Sequence, residues 1–260
     1  MKHTELSNTD FGLIGYPLGH SFSKSFFTRL FEMDGSGRTY ENFELEKLTP
    51  ETLYRIILLN PNLKGFNVTA PYKEQIIAFL DKTDPIATKA GAVNTVKIMR
   101  ADDGRFTGLE GYNTDVIGFR DSIIDMHGAV ASKRALILGT GGAAKAVAVA
   151  LESLGITPTF VSRSKKDDNT LLYSDIDKTV VENHPLIVNA TPAGTYPNCD
   201  TCPPFPYELL SESNYCHDLV YNPEETKFMK NAAAQGAKVK NGLDMLFGQA
   251  MASLEIWTSK

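Results

Sequence analysis

The segment 134–144 constrains the fold of this chain more than any other part of its sequence. Four apolar residues, 135–138, are followed by Gly139 and Gly141 in a G-x-G-x-x-A spacing that an alanine completes. An alanine-rich stretch then runs to Leu154. Strand, tight turn and helix in this order are typical of a βα turn that receives a dinucleotide pyrophosphate at the helix N-terminus. The segment therefore predicts a dinucleotide site on a parallel α/β sheet.

A second apolar strand, predicted over 158–161, ends in a basic turn. Arg163, Lys165 and Lys166 stand about where a ribose-binding residue is expected. An Asp or Glu at this place favours NAD, whereas an arginine favours the 2′-phosphate of NADP. The turn therefore favours NADP, with a solvated basic turn as the alternative.

Composition bounds the class of protein. With 260 residues the chain has room for one large domain or two small ones, and its net charge of −5 gives no reason to expect nucleic acid or membrane as a partner. The first residues lack an apolar leader segment and no stretch approaches ~20 apolar residues, so a cytoplasmic protein is expected. Cys199 and Cys202 lie in a proline-rich loop without a second pair, which favours free thiols over a metal or redox site.

Hydrophobic periodicity predicts an α/β unit before the glycine turn. Strands are expected over 11–15, 40–45, 63–68, 92–99 and 105–109, and helices over 22–33, 50–59 and 72–80. The last two strands flank Asp102-Asp103-Gly104, a good hairpin turn.

A second α/β unit is expected to follow a connecting helix over 114–126. Its predicted strands are 134–138, 158–161, 186–190, 216–220 and 237–240, with helices over 142–154, 224–234 and 243–257. The segment 165–184 is short and polar for a crossover, which predicts a reduced helix there. We expect two α/β domains, 1–113 and 114–242, with the C-terminal helix 243–260 returning to the first.

Polar residues stand where the predicted strands of the first unit end. Thr69 and Lys73 follow one strand, and ligands bind at the carboxyl ends of strands in open α/β sheets. Lys73 is a candidate general acid/base if its amine is partly desolvated, and otherwise a surface charge. Asn94, Asn113 and Asp115 occupy similar turns, where turn formation and helix capping are the alternatives.

Seven segments together resemble the shikimate dehydrogenase family over nearly the whole chain. The matching segments are Ile14-Gly-x-Pro17-x-x-His20-Ser21-x-Ser23, Asn67-Val-Thr-x-Pro71-x-Lys73, Gly91-Ala-Val-Asn94-Thr95, Gly111-x-Asn113-Thr114-Asp115, the Gly139 turn, Asn189-Ala-Thr191-Pro-x-Gly194 and Gly242-Leu-x-Met245-Leu-x-x-Gln249-Ala250. This resemblance implies an N-terminal substrate-binding domain and a Rossmann-like NADP-binding domain. It also implies reversible NADPH-dependent reduction of 3-dehydroshikimate to shikimate, in the chorismate route to aromatic amino acids.

The resemblance also implies site residues. Lys73 and Asp115 become the catalytic acid-base pair. The residues implied for the substrate are Ser21 and Ser23 at its carboxylate, and Thr69, Asn94, Tyr221 and Gln249 at its hydroxyls and ring edge. Those implied for NADP are Gly139, Gly141, Gly142 and Ala143 at the diphosphate, Arg163 and Ser164 at the 2′-phosphate, and Ser162, Thr191 and Gly242. No metal is implied.

The chain departs from the family pattern at two places. Tyr112 replaces the acidic residue that usually precedes Asn-Thr-Asp, which alters the surroundings of Asp115. Asp167 stands where the family often has a second arginine, so binding of the 2′-phosphate depends on Arg163 with Lys165 or Lys166.

Two alternatives to this assignment follow from the sequence. One is a quinate or quinate/shikimate dehydrogenase, or a paralogue acting on a related hydroxy acid. The other is a nucleotide-sensing protein without catalysis, which the presence of both Lys73 and Asp115 disfavours. The expected partner is a small-molecule substrate, and the expected assembly is a monomer or a homodimer.

Overall fold

The computed structural model describes residues 9–19, 22–124, 132–165 and 170–259. It divides into two compact units. The first unit runs to Thr114 and resumes at Ala250, and the second comprises Asp115–Gln249. Among the described residues, no helix is long and apolar enough to span a membrane.

The first unit contains a six-stranded sheet. Its strands are β1 (Phe11–Gly15), β2 (Tyr40–Glu44), β3 (Gly65–Val68), β4 (Lys82–Thr83), β5 (Thr95–Arg100) and β6 (Phe106–Tyr112), and its helices are α1 (Phe22–Met33), α2 (Pro50–Leu59) and α3 (Pro85–Ala90). The strand order is β2-β1-β3-β5-β6-β4. β1 pairs in parallel with β2 and β3, whereas β5 is antiparallel to both β3 and β6, as the hairpin prediction requires.

The helix predicted over 72–80 is wrong. The chain forms only a 3-10 helix over Gln75–Phe79. In an α-helix the carbonyl of Lys73 would accept from the N–H of Ile77, but here it accepts from Val93 N at 2.8 Å. Ile77 N turns instead to the Glu74 carbonyl. A long-range backbone contact has therefore overridden the local helical pattern and tied Lys73 to the loop before β5.

The second unit contains a six-stranded parallel sheet. Its strands are β7 (Arg134–Leu138), β8 (Thr157–Ser162), β9 (Thr170–Leu172), β10 (Leu186–Asn189), β11 (Tyr215–Asp218) and β12 (Lys238–Lys240), in the order β12-β11-β10-β7-β8-β9. Its helices are α4 (Thr114–Ile124), α5 (Gly142–Ser153), α6 (Lys178–Asn183) and α7 (Lys227–Ala233). Read from β7, this is the doubly wound order of a Rossmann sheet, with its switch point between β7 and β10.

The last helix, α8 (Leu243–Thr258), begins in the second unit and ends in the first. Trp257 near its end stacks on Phe11 with 4.8 Å between ring centroids, and its Nε1 donates to Val96 O at 2.9 Å. Phe27 and Tyr40 complete this aromatic core and stack on each other at 4.6 Å. Aromatic burial therefore holds the C-terminal half of α8 on the sheet of the first unit, as the sequence predicts.

Candidate active site

Thr69 and Lys73 follow directly from the carboxyl end of β3. The N–H of Thr69 donates to Ile14 O at 2.9 Å, and the Thr69 carbonyl accepts from Tyr72 N at 3.0 Å. This turn, together with the bond from Val93 N, fixes the main chain on both sides of Lys73. Both predicted side chains are half-buried. They therefore start from a fixed backbone at the edge of the sheet where ligands bind.

Buried hydrogen bonds connect the predicted residue Asn94 to its neighbours in the first unit. Its Oδ1 accepts from Thr114 N at 2.7 Å, and its Nδ2 donates to Thr114 Oγ1 at 3.0 Å. Asn67 donates from Nδ2 to Thr95 Oγ1 at 3.2 Å and to Ser253 Oγ at 3.0 Å. Because every member is buried and bonded, the network fixes the orientation of both amides.

Ser23 joins the same network through a tyrosine. The Tyr40 hydroxyl donates to Asn67 Oδ1 at 2.8 Å and is also hydrogen-bonded to the Ser23 side chain. Burial raises the pKa of Tyr40 well above its ordinary value, so the phenol keeps its proton. Ser21, predicted beside Ser23 at the substrate carboxylate, lies outside the described residues.

Asp115 begins the second unit in the first turn of α4 and is 7% exposed. The residue before it, Thr114, is held by Asn94, so the start of α4 is anchored to the buried network. Tyr112, the departure from the family pattern, is half-buried, and burial followed by the nearby Glu110 raises its pKa to about 12. Tyr112 is therefore neutral, at a position where the resemblance to the family predicts an acid.

Gly118 lies where α4 packs against α8, and these two helices carry the predicted residues Asp115 and Gln249. A Cβ at Gly118 would lie 2.7 Å from Gln249 N and 2.5 Å from Met245 O, closer than real contacts allow. Only a glycine permits α4 and α8 to approach this closely. Asp115 lies one turn before the crossing on α4, and Gln249 lies at the crossing on α8.

The glycine turn after β7 fits a dinucleotide. Gly139 has φ +112°, a conformation that favours glycine. α5 begins at Gly142, and its N-cap Gly141 supplies no side-chain cap. Among the described residues, a Cβ at Gly141 would meet nothing within 4 Å. Open backbone donors at the start of a helix of 12 residues are what a diphosphate requires. Gly142 and Ala143, the other predicted residues of this site, form the first turn of α5.

The basic turn follows β8. Ser162 ends the strand, and Arg163, Ser164 and Lys165 are exposed. Arg163 is close enough to Tyr173 to oppose the rise in pKa that burial causes in that phenol. Lys166 and Asp167, which also entered the prediction for NADP, lie outside the described residues.

Thr191 and Tyr221 lie in the loops after β10 and β11. Asn189 Oδ1 accepts from Thr191 N at 3.0 Å and from Thr191 Oγ1 at 2.6 Å. Tyr221 is half-buried, and burial raises the pKa of its phenol. Gly242 N donates to Val220 O at 3.2 Å, next to Tyr221. These residues therefore share one edge of the sheet in the second unit.

The sequence analysis did not identify the buried polar residues that form hydrogen-bond networks around the predicted site residues. These are Tyr40, Thr95, Thr114 and Ser253 in the first unit, and Asp218 and Thr226 in the second. The available signal was a polar residue inside an otherwise apolar stretch, as with Asp218 in Cys-His-Asp-Leu-Val. Burying such a residue is costly without partners, so it indicates a bonded network.

The three cysteines are free thiols, with Cys199 and Cys202 half-buried and Cys216 buried. Burial raises the pKa of Cys216 to about 12. In the part of the chain that the structure describes, no group of three His, Cys, Asp or Glu side chains is placed to hold a metal ion.

Comparisons with known proteins agree on one family. The model of the shikimate dehydrogenase substrate binding domain matches residues 13–96. The shikimate dehydrogenase (NADP(+)) of Methanocaldococcus jannaschii is 38% identical over 264 residues, which cover 95% of this chain and 90% of that protein. The corresponding protein of Desulforamulus reducens is 34% identical, with 95% and 89% covered.

Solved structures extend the similarity to the whole fold. A shikimate 5-dehydrogenase from Thermus thermophilus, in complex with NADP(H) and shikimate, has a TM-score of 0.80 and 32% identity, covering 96% of this chain and 93% of that chain. A quinate dehydrogenase from Corynebacterium glutamicum, in complex with NAD, has a TM-score of 0.84 and 26% identity, covering 96% and 94%. The fold class predicted from the sequence is thereby confirmed.

Proposed function

The chain belongs to the shikimate dehydrogenase family, and on that premise we propose that it reduces 3-dehydroshikimate reversibly to shikimate with NADPH. The observation that carries the proposal is full-length similarity: relatives named shikimate dehydrogenase (NADP(+)) match 95% of this chain at 38% and 34% identity. A match of this extent includes both units. The reaction places the protein in the chorismate route to aromatic amino acids.

Lys73 and Asp115 are proposed as the acid-base pair. Reduction of a ketone leaves negative charge on its oxygen, which must receive a proton. The ammonium of Lys73 stabilises that charge and donates the proton, and Asp115 favours the charged lysine or returns its proton. Bound NADPH supplies the hydride. The fixed main chain around Lys73 supports this role, because a general acid has to be positioned before it acts.

The proposed substrate residues of the first unit differ in how firmly they are held. Asn94 is buried and bonded through both atoms of its amide, and Ser23 is bonded through Tyr40. Ser21 is assigned to the carboxylate with Ser23. Thr69 on the turn after β3, and Tyr221 and Gln249 from the second unit, are assigned to the hydroxyls and ring edge.

NADP is proposed to bind the second unit. The open start of α5 supports placing the diphosphate at Gly139, Gly141, Gly142 and Ala143. The exposed guanidinium of Arg163 supports binding of the 2′-phosphate together with Ser162 and Ser164, since arginine binds phosphate through two donors. Thr191 and Gly242 complete the proposed set.

A direct assay tests this function. The purified chain is mixed with shikimate and NADP+, and NADPH formation is followed by its near-ultraviolet absorbance. We expect turnover that depends on both compounds. Binding of NADP+ without turnover would contradict the proposal and support the nucleotide-sensing alternative.

A quinate dehydrogenase is the second candidate, because one solved structure of that name has a TM-score of 0.84 to this chain. Shikimate has a planar carbon next to its carboxylate, whereas the same carbon of quinate is tetrahedral and carries an extra hydroxyl. Two short serine hydroxyls, Ser21 and Ser23, require close approach to the carboxylate. We therefore expect kcat/KM for shikimate to exceed that for quinate by about tenfold or more. This is the effect expected when the extra hydroxyl of quinate lacks hydrogen-bond partners in the pocket.

The assay with both acids separates these candidates. Comparable kcat/KM values for shikimate and quinate would move the assignment to the dual-substrate branch. We further propose a cytoplasmic monomer or homodimer, and the three free thiols support a reducing compartment.

A further inference from the structure

Asp218 is a buried carboxylate that the proposed mechanism does not use. It ends β11 and has 0% exposed surface. Its Oδ1 accepts from Asn189 Nδ2 at 2.9 Å and from Val220 N at 3.0 Å, and its Oδ2 accepts from Thr226 Oγ1 at 2.6 Å. Among the described residues no cation forms an ion pair with it. A buried charge with donors but no counter-ion is costly, which indicates a specific use.

The two bonds to Oδ1 lead to two different loops. Through Asn189, whose Oδ1 accepts from both the N–H and the hydroxyl of Thr191, Asp218 orients the loop after β10. Through Val220 N it holds the main chain directly before Tyr221. Thr191 is assigned to the cofactor and Tyr221 to the substrate, so this step rests on the proposed function.

The hydrogen bond to Oδ2 comes from the side chain of Thr226. Thr226 is the N-cap of α7, and its hydroxyl also accepts from Met229 N at 3.2 Å. Neither α7 nor Thr226 carries a residue assigned to a ligand. Oδ1 of Asp218 is therefore bonded toward the two loops that carry assigned residues, whereas Oδ2 is bonded to the N-cap of α7. Substitutions can remove these two sets of hydrogen bonds separately.

We propose that Asp218 is a positioning residue that sets the cofactor loop at Thr191 and the substrate loop at Tyr221 together. Its three hydrogen bonds support this role, because Asp218 is the acceptor in each of them and the ionised carboxylate therefore satisfies all three donors. A single acceptor shared by both loops ties the placement of one ligand to that of the other.

The test compares four variants of the full-length protein at about pH 8, where the carboxylate is ionised. Asp218→Ala removes the shared acceptor, so we expect the KM for NADP+ and the KM for shikimate each to rise about tenfold, with kcat changed less. Asp218→Asn retains a carbonyl oxygen for Oδ1 and is expected to restore both constants to within about threefold of the wild type.

Asn189→Ala and Thr226→Val each remove one of the side-chain hydrogen bonds to Asp218. Asn189→Ala leaves Asp218 bonded to Val220 and is expected to raise the KM for NADP+ alone. Thr226→Val removes the bond to Oδ2 and the cap of α7, so it is the matched control: the melting temperature falls while both KM values stay within about twofold. NADP+ binding by calorimetry gives the same comparison without turnover.

The outcomes separate the two proposals. If the wild type does not reduce NADP+ with shikimate, the proposed function fails. If the wild type is active and Asp218→Ala raises neither constant or only one, the positioning role is wrong. It is equally wrong if Thr226→Val raises both constants as much as Asp218→Ala, since general loosening then explains the effect. If Asp218→Ala does not fold, Asn189→Ala and Thr226→Val decide. The proposal requires Asn189→Ala to weaken the binding of NADP+ alone and Thr226→Val to weaken the binding of neither ligand.

Discussion

The two units prepare their proposed ligand groups in different ways. In the first unit, neutral side chains form a buried network in which Asn67 and Asn94 are bonded to hydroxyl groups such as those of Thr114 and Ser253. In the second unit the groups available to a nucleotide are open backbone N–H groups at the start of α5 and the exposed Arg163. At these two places, the first unit relies on buried side chains and the second on backbone groups and a surface charge.

The difference has consequences for energy and for pH. A neutral network costs little to bury once its donors and acceptors are paired, and it does not titrate near neutrality. The second unit keeps a buried carboxylate, Asp218, whose pKa burial raises to about 6. Substitutions in the buried network of the first unit should therefore act on substrate, whereas those at the start of α5 and at Arg163 should act on cofactor binding. Substitution of Asp218 should in addition change the pH dependence of stability.

The largest effect is expected at Lys73. Lys73→Ala removes the proposed proton donor and should lower kcat by ~10²-fold or more, with a much smaller change in substrate binding. Steady-state kinetics with shikimate and NADP+ measure both quantities. Asp115→Asn should act in the same direction, and the double variant should lose less than the two single losses combined, because the pair acts as a unit. A Lys73→Ala enzyme with normal kcat and only weaker binding would make Lys73 a binding residue.

The next effect concerns the pH dependence of stability in the second unit. The pKa of Asp218 is raised from 3.8 to about 6, so the folded protein holds this proton more tightly than the unfolded chain. Ionisation therefore destabilises the fold as pH rises through the window from about 4 to about 6. Relative to Asp218→Asn, the wild type should lose about 3 kcal/mol of unfolding free energy across that window.

Denaturant unfolding at several pH values measures this difference. The comparison with Asp218→Asn is needed because burial also lowers the pKa of His217 from 6.5 to about 3, so this group makes both proteins more stable as pH rises through the same window. Cys216 and Tyr207 do not titrate there, since the pKa of Cys216 is raised to about 12 and that of Tyr207 well above its ordinary value. Parallel curves for the wild type and Asp218→Asn would show that burial does not raise the pKa of Asp218.

A smaller effect is expected at the basic turn. Arg163→Ala should raise the KM for NADP+ about ten- to a hundredfold, since a charge-assisted phosphate contact is worth ~1.5–3 kcal/mol. The KM for NAD+, which lacks the 2′-phosphate, should hardly change. Lys178→Ala is the control, since it removes an exposed positive charge of the second unit that is assigned to no ligand. Equal changes for the two cofactors would assign Arg163 a structural role.

The sequence predicts the parts of the molecule that depend on local pattern. The glycine turn predicts β7 and the start of α5, and the bounds agree at Arg134–Leu138 and Gly142. Helix α3 was not predicted although its signals are present: Asp84 caps it, Pro85 begins it and Gly91 ends it. A helix of six residues is short enough to be overlooked between two strands.

Contacts between distant residues are what sequence reasoning could not supply. The helix predicted over 72–80 is wrong because Val93 takes the carbonyl of Lys73. Asn67 and Ser253 are 186 residues apart, and only the folded chain brings them within 3.0 Å. The pairing of Lys73 with Asp115 follows from the family resemblance and stays a prediction. The buried groups that hold residues such as Asn94 are visible only in the structure.

The division of labour between the two units is tested most directly by measuring the Michaelis constants of Ser23→Ala and Arg163→Ala for both shikimate and NADP+ in the same assays. Ser23 is bonded to Tyr40 in the first unit, and Arg163 is exposed in the second. We expect Ser23→Ala to raise only the constant for shikimate, and Arg163→Ala to raise only the constant for NADP+. Comparable increases in both constants for either variant would contradict it.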